Sequence, residues 1–433
     1  MNYNTSEIKK KFWNSLKRGT GEAYLIIQDH PTIDFSDLIE KGATVNFAYD
    51  QQCEGSRAKY IFRLFKKSKQ KDKIVNAVLT KLQSEKTDYW SLEQMCDLAV
   101  LFFKAGYIQA KGALYNRFEK NSDDGYEFCG QDQLMEITGI SGVLKVAEVV
   151  GQKILEKNDW EESWHIDNFQ KKNRNLSVYN ELKNAGKKNK FIAAYYKSIL
   201  DNKWTLPKRR KFTTFSYNLV KEKIETNKFR AISTNRANDL STEEVKKLAD
   251  ELLMEKNRQK QELYLRFFAK RKFPFDYNLI LKIASGKNPA KTRLVEFSVE
   301  ALKFFAGKDI RQLAIDKLNS QKNPFAYLNL LVSNYKKGDN KLLNEIANRS
   351  DNKDFIHSVG FGFRDIYEAN NTKECKEPLE ILYSKMSCGL CRKSVVQLLL
   401  DNNVLSDKIL QEIQFDSNEE LQKLYRRIKK NGR

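Results

Sequence analysis

A chain of 433 residues that is 41% apolar and 12% aromatic, with 6 prolines and 19 glycines, is too hydrophobic for disorder and too poor in Gly and Pro for a collagenous or low-complexity class. The length allows two to four domains or one elongated repeat array. Its 77 basic against 56 acidic residues leave a formal charge of +21, which bears on partners and is silent about fold.

The first thirty residues lack the uninterrupted apolar stretch of a secretory signal, so export is not expected. Six cysteines without a disulfide framework suit a reducing cytoplasm. Gly19-Thr20-Gly21 precedes the apolar run 24–27, the reverse of a strand-then-glycine phosphate loop, and no Walker lysine follows. His30 before Pro31 reads as a turn residue. At 49–57 a dense polar segment opens a helix; Asp50 and Glu54, at i and i+4, fit carboxylates complementing the helix dipole more simply than an acid–base pair.

The longest apolar run, 98–103, falls far short of the about 18 residues a bilayer demands and is bracketed by Asp97 and Lys104, so no membrane partner is expected. Residues 92–103 and 108–118 form a candidate helix pair, and Asp123-Asp124 before Gly125 reads as a turn. Trp160, Glu161, Glu162 and Trp164 place two indoles around acidic residues, with His165 next in an aromatic segment. Residues 206–211 and 233–238 interrupt the periodicity around one helix, and Ser241 with Glu244 three positions on predicts a capping box.

Beyond residue 241 apolar residues recur at three and four, while period-2 alternation is scarce. The pairs 263–268 with 279–283, 294–305 with 310–318, and 327–332 with 342–346 share turn aspartates Asp276, Asp309 and Asp339, spaced by 33 and 30 residues. Two further pairs are 379–386 with 391–400 and 405–413 with 419–428. One helix pair cannot bury both its faces, so neighbours must stack into a continuous core.

Asp309-Ile310-Arg311 followed by Ala314 resembles the second-helix signature of HEAT-type repeats. Asp416 with Leu421 is similar, although Gln422 stands where that pattern has Arg. The likeness is best over 257–428. It implies an all-α, right-handed α-α superhelix of stacked helix pairs, armadillo-like in outline, that binds a protein partner without a cofactor. The corresponding division is irregular helical repeats over 1–200, a basic connecting region with one helix over 201–240, and HEAT-like repeats over 241–433.

Residues 171–293 hold 31 Lys/Arg against 12 Asp/Glu, so +19 of the +21 sits in that stretch. The candidate polyanion-binding residues are Lys208, Arg209, Arg210, Lys211, Lys228, Arg230 and Arg236 on or near loops, with Lys270, Arg271 and Lys272 at a helix end. Trp204, Phe212, Phe215, Tyr217 and Phe229 interleave them as candidate base-stacking groups. The competing reading is a solvated helix face over ordinary core aromatics.

Cys388 and Cys391, with Cys375 and His357 upstream, invite a zinc reading, yet the thiols also fall on the stripe of Val395, Leu398 and Leu399 as small packing residues, and packing is the expectation. No catalytic residue, metal or cofactor is assigned. The outline further resembles HEAT-like-repeat alkylpurine DNA glycosylases, which join a positive concave face to tryptophans and a carboxylate, but no catalytic residue of that family carries over. The expected function is a non-enzymatic scaffold, an adaptor docking another protein chain; the alternative is DNA or RNA binding through the basic centre.

Overall fold

Helix-period patterning without strand-period alternation leaves one way to satisfy the backbone, and the structure takes it. The computed structural model describes residues 4–83, 87–120, 129–203, 215–230, 232–287, 292–322 and 324–432, and every regular element among these is helical, with no strand. No helix among them is long and apolar enough to cross a membrane. The architecture is that of many short helices, compatible with a helical-repeat array. Contacts divide the chain into two units: Met1–Lys208 with Ser387–Leu390 and Asp407–Arg433, and Arg209–Met386 with Cys391–Ser406.

In the first unit, Phe12, Leu16, Ile39, Leu64, Phe65, Leu98 and Phe102 belong to one fully buried cluster. Leu134, Val143, Val146, Leu182, Tyr195 and Ile199 belong to a second. The last two helices, Asp407–Ile413 and Glu419–Lys430, pack on the first ones of the chain. Phe415 stacks on Tyr24 with ring centroids 4.2 Å apart, and the Ser417 amide donates to the Gly19 carbonyl at 2.8 Å. The glycines at 19–21 serve this approach: a Cβ on Gly21 would lie 1.8 Å from the Glu412 carbonyl oxygen, and Gly19 adopts φ +77° at the end of Thr5–Arg18.

The second unit contains the expected helix pairs. Arg258–Phe268 precedes Asn278–Ala284, Leu294–Leu302 precedes Lys308–Ser320, and Phe325–Leu328, continued by a short 3-10 turn, precedes Asn340–Asn348. Lys376–Lys385 then precedes Gly389–Asp401, which belongs to this unit from Cys391 onward. Ser241 caps Thr242–Met254 as its spacing predicts: its hydroxyl accepts from the Glu244 amide at 3.2 Å while the Glu244 carboxylate accepts from the Ser241 amide at 2.9 Å. The turn aspartate ladder is physical. Arg311 donates to both carboxylate oxygens of Asp339, at 2.6 and 2.7 Å, and to the Asn334 carbonyl at 2.7 Å, joining one helix pair to the next. The Asn334 side chain completes the seam by donating to Phe305 and Leu330 carbonyls.

Candidate binding surfaces

The groups that first suggest chemistry in the first unit are engaged in holding the fold. Asp50 caps Gln51–Glu54 by accepting from the Cys53 amide at 3.0 Å. Glu54 is buried; its carboxylate accepts from the amides of Tyr49, Asp50 and Gly389 at 3.0 to 3.1 Å and pairs with Arg57 at 2.9 Å. Arg57 in turn donates to the Lys17 carbonyl at 2.7 Å. A cleft of about 520 Å³ opens beside this pair, lined also by Lys59, Asp97 and Glu419. Lys59 and Glu419 are paired with each other at 2.7 Å, and Asp97 accepts from Gln133 at 2.6 Å. His30 ends Glu22–Asp29 as a turn residue, and His165 pairs with Asp132 at 2.8 Å.

A different kind of surface forms around residues 155–200. The Glu161 amide donates to the Ser198 hydroxyl at 2.8 Å and that hydroxyl returns a bond to the Glu161 carbonyl at 3.2 Å. These bonds pin the segment after Ile140–Lys157 to the last turn of Lys190–Asp201. Four large apolar side chains between residues 155 and 200 stand in solvent: Leu155, Trp160, Trp164 and Leu200, with Trp160 59% exposed. Burial pushes the Glu161 carboxyl above its ordinary value. Sequence reading found the tryptophans and missed Leu155 and Leu200, whose helical spacing looks like ordinary core.

The candidate cations divide. Lys208, Arg209, Arg210 and Lys211, with Trp204 and Phe212, lie outside the described residues. The other six gather. Arg266 donates to the Phe229 carbonyl at 3.2 Å and Arg271 to the Asn238 side chain at 2.9 Å, so Phe229 and Asn238 both lie against the C-terminal end of Arg258–Phe268. This brings Lys228, Arg230 and Arg236 to the neighbourhood of Lys270, Arg271 and Lys272. Lys228, Arg230 and Lys272 are exposed. Lys270 approaches Glu300 at 3.9 Å, Arg236 covers the Phe215 ring at 5.0 Å, and Lys272 covers Phe305 at 5.1 Å. Among the described residues, the interleaved Phe215 and Phe229 are buried, and the Tyr217 hydroxyl donates to Glu251.

Of the cysteine candidates, Cys375 is buried in a short 3-10 turn, its thiol pushed up to about 11 by burial. Cys388 is buried, but Cys391 is half-buried, with its sulfur 3.4 Å from His357 Nδ1. No family model, no curated protein and no solved structure matches this chain.

Proposed function

We propose that this protein is a non-enzymatic binding scaffold, an adaptor that docks another protein chain, with its helix pairs stacked as a HEAT-like superhelix in the cytoplasm. The observation that carries the reading is the exposure of Trp160 and Trp164, together with that of Leu155 and Leu200, on the first unit. Exposed indoles backed by a rigid helix junction are the side chains that dominate protein–protein recognition. The Arg311–Asp339 ladder supports the HEAT-like stacking, because it repeats the turn aspartate of one pair as the acceptor for the arginine of the preceding one.

The test is affinity purification of tagged wild-type protein and of a Trp160→Ala, Trp164→Ala double variant from the native host at equal expression. A stoichiometric protein partner recovered with the wild type and lost with the double variant is expected. Identical recovery by both removes the indole surface as the docking site.

A second reading, nucleic-acid binding, is favoured by the gathering of Lys228, Arg230, Arg236, Lys270, Arg271 and Lys272 in one neighbourhood. Fluorescence anisotropy with labelled DNA and RNA across a salt series tests it. Log affinity falling linearly with log salt, and weakened for every sequence by Lys228→Glu with Arg230→Glu, is the expected signature. A flat, weak signal eliminates it. The burial of Phe215 and Phe229 leaves this surface electrostatic, without those rings as stacking platforms.

A further inference from the structure

We infer that Cys96 and Cys129 are an oxidation-sensitive pair, which a peroxide joins into a disulfide that fastens the Tyr89–Lys104 helix to the start of Gln131–Thr138 within the first unit. The inference is independent of whichever partner the scaffold docks. Both residues are thiols in the structure, 0% and 2% exposed, and their sulfurs lie 3.7 Å apart although 33 positions separate them along the chain. Bonded sulfurs stand about 2.05 Å apart, so closure asks each short side chain to give by less than about 1 Å.

The approach is built by neighbours on both sides. Glu93, Cys96 and Asp97 fall at i, i+3 and i+4 on one face of their helix. The Gln133 side-chain amide donates to Glu93 at 2.9 Å and to Asp97 at 2.6 Å, so carboxylates before and after Cys96 are tied to the helix that Cys129 precedes. Gly130 makes the turn between them: it adopts φ +91°, and a Cβ there would lie 3.1 Å from the Cys96 sulfur. The Cys129 thiol donates to the Glu93 carboxylate at 3.5 Å. Packing accounts for two buried sulfurs, but not for a carboxylate placed to accept the proton of one of them.

In the oxidation the Cys129 proton passes to Glu93 and the sulfur attacks one oxygen of hydrogen peroxide. The O–O bond breaks, and hydroxide departs as water with that proton, leaving a sulfenic acid. The Cys96 sulfur then attacks the Cys129 sulfur, the S–O bond breaks, and the second hydroxide departs as water with the Cys96 proton. Two thiols and one peroxide thus become one disulfide and two waters, with two electrons passing from sulfur to oxygen. Contact with Cys129, together with burial, holds the Cys96 thiol well above its ordinary value. The reduced pair therefore gains no stability from a thiolate at Cys96, which favours the disulfide. Closure calls for no unpartnered sulfur, because the new bond replaces a sulfur–sulfur contact already made.

The experiment uses the full chain, reduced, freed of reductant and exposed to hydrogen peroxide in the native state. Peptide mapping without reduction should recover the peptides bearing Cys96 and Cys129 joined, lighter by two hydrogens than their sum. Thiols titratable after unfolding should fall by two from the six of the chain. Cys53→Ser should leave the cross-link unchanged, whereas Cys96→Ser and Cys129→Ser should abolish it, with far-ultraviolet circular dichroism showing that each variant is folded. The oxidised wild type should unfold at a higher denaturant concentration than the reduced protein, by a shift that dithiothreitol reverses. The proposal is overturned if folded wild-type protein yields no joined Cys96–Cys129 peptide, or if their joining fails to raise the unfolding midpoint.

Discussion

Each unit contains an arginine–carboxylate pair, and the two are wired differently. In the first unit Glu54 and Arg57 are 6% and 4% exposed, and between them they hold the Lys17 carbonyl and the Gly389 amide, the latter 335 residues from Glu54 along the chain. In the second unit Arg311 reaches Asp339, 28 residues away, across the seam between consecutive helix pairs. One unit is closed by contacts between remote parts of the chain and the other is stapled neighbour to neighbour. Remote closure makes stability all-or-none, whereas neighbour stapling distributes it along the array.

The largest effect that separates the two is expected at Glu54. Glu54→Ala removes the charged partner of a buried guanidinium and the acceptor of three amides, and should cost about 3–5 kcal/mol in denaturant titration. Arg311→Ala removes charge-assisted hydrogen bonds at a partly solvated position and should cost about 1.5–3 kcal/mol. Asp339 would still accept from the Lys336 amide at 2.8 Å, which limits the loss. A larger loss for Arg311→Ala than for Glu54→Ala would reverse the comparison.

Particular carboxyls of the two units should also respond oppositely to pH. In the first, burial holds the Glu93 and Asp97 carboxyls above their ordinary values of 4.5 and 3.8. The folded state then binds those protons more tightly than the unfolded chain, so stability falls as pH climbs through the interval above those values. In the second, burial pushes Glu251 up, but hydrogen bonds from Lys221, Tyr217 and Tyr264 outweigh it and leave the carboxyl below 4.5. Its contribution is complete above that value and is lost as pH drops through the folded one. Denaturant melts across pH should show Glu93→Gln flattening the first dependence and Glu251→Gln the second. The smallest effect is expected at the solvated pair of Lys59 with Glu419, where Lys59→Ala should change stability by no more than about 0.5 kcal/mol. A cost comparable to that of Arg311→Ala would show that closure of the first unit reaches its surface.

Local order was legible because it is written locally. The helix pairs of the second unit, the capping box at Ser241 and the turn aspartates each depend on residues a few positions apart. What lay beyond reading was choice of partner. Phe415 and Ser417 need partners, but nothing in the sequence says that these are Tyr24 and Gly19. Phe215 and Phe229, read as stacking groups, carry the same composition signal whether they face bases or core. Glu54 shows its neighbour Arg57 three residues on but gives no hint of Gly389. The Cys388–Cys391 spacing was visible, while the approach of His357 required the fold.

The seat that receives Phe415 is built by residues near Tyr24, which the ribosome makes long before it reaches Phe415. Until residues 407–430 emerge, the groove beside Gly21 stands open and greasy, and Glu22–Asp29 waits nearly four hundred residues for its cover. A nascent chain of this design therefore has a long interval in which that groove is vulnerable to chaperones, proteases and self-association.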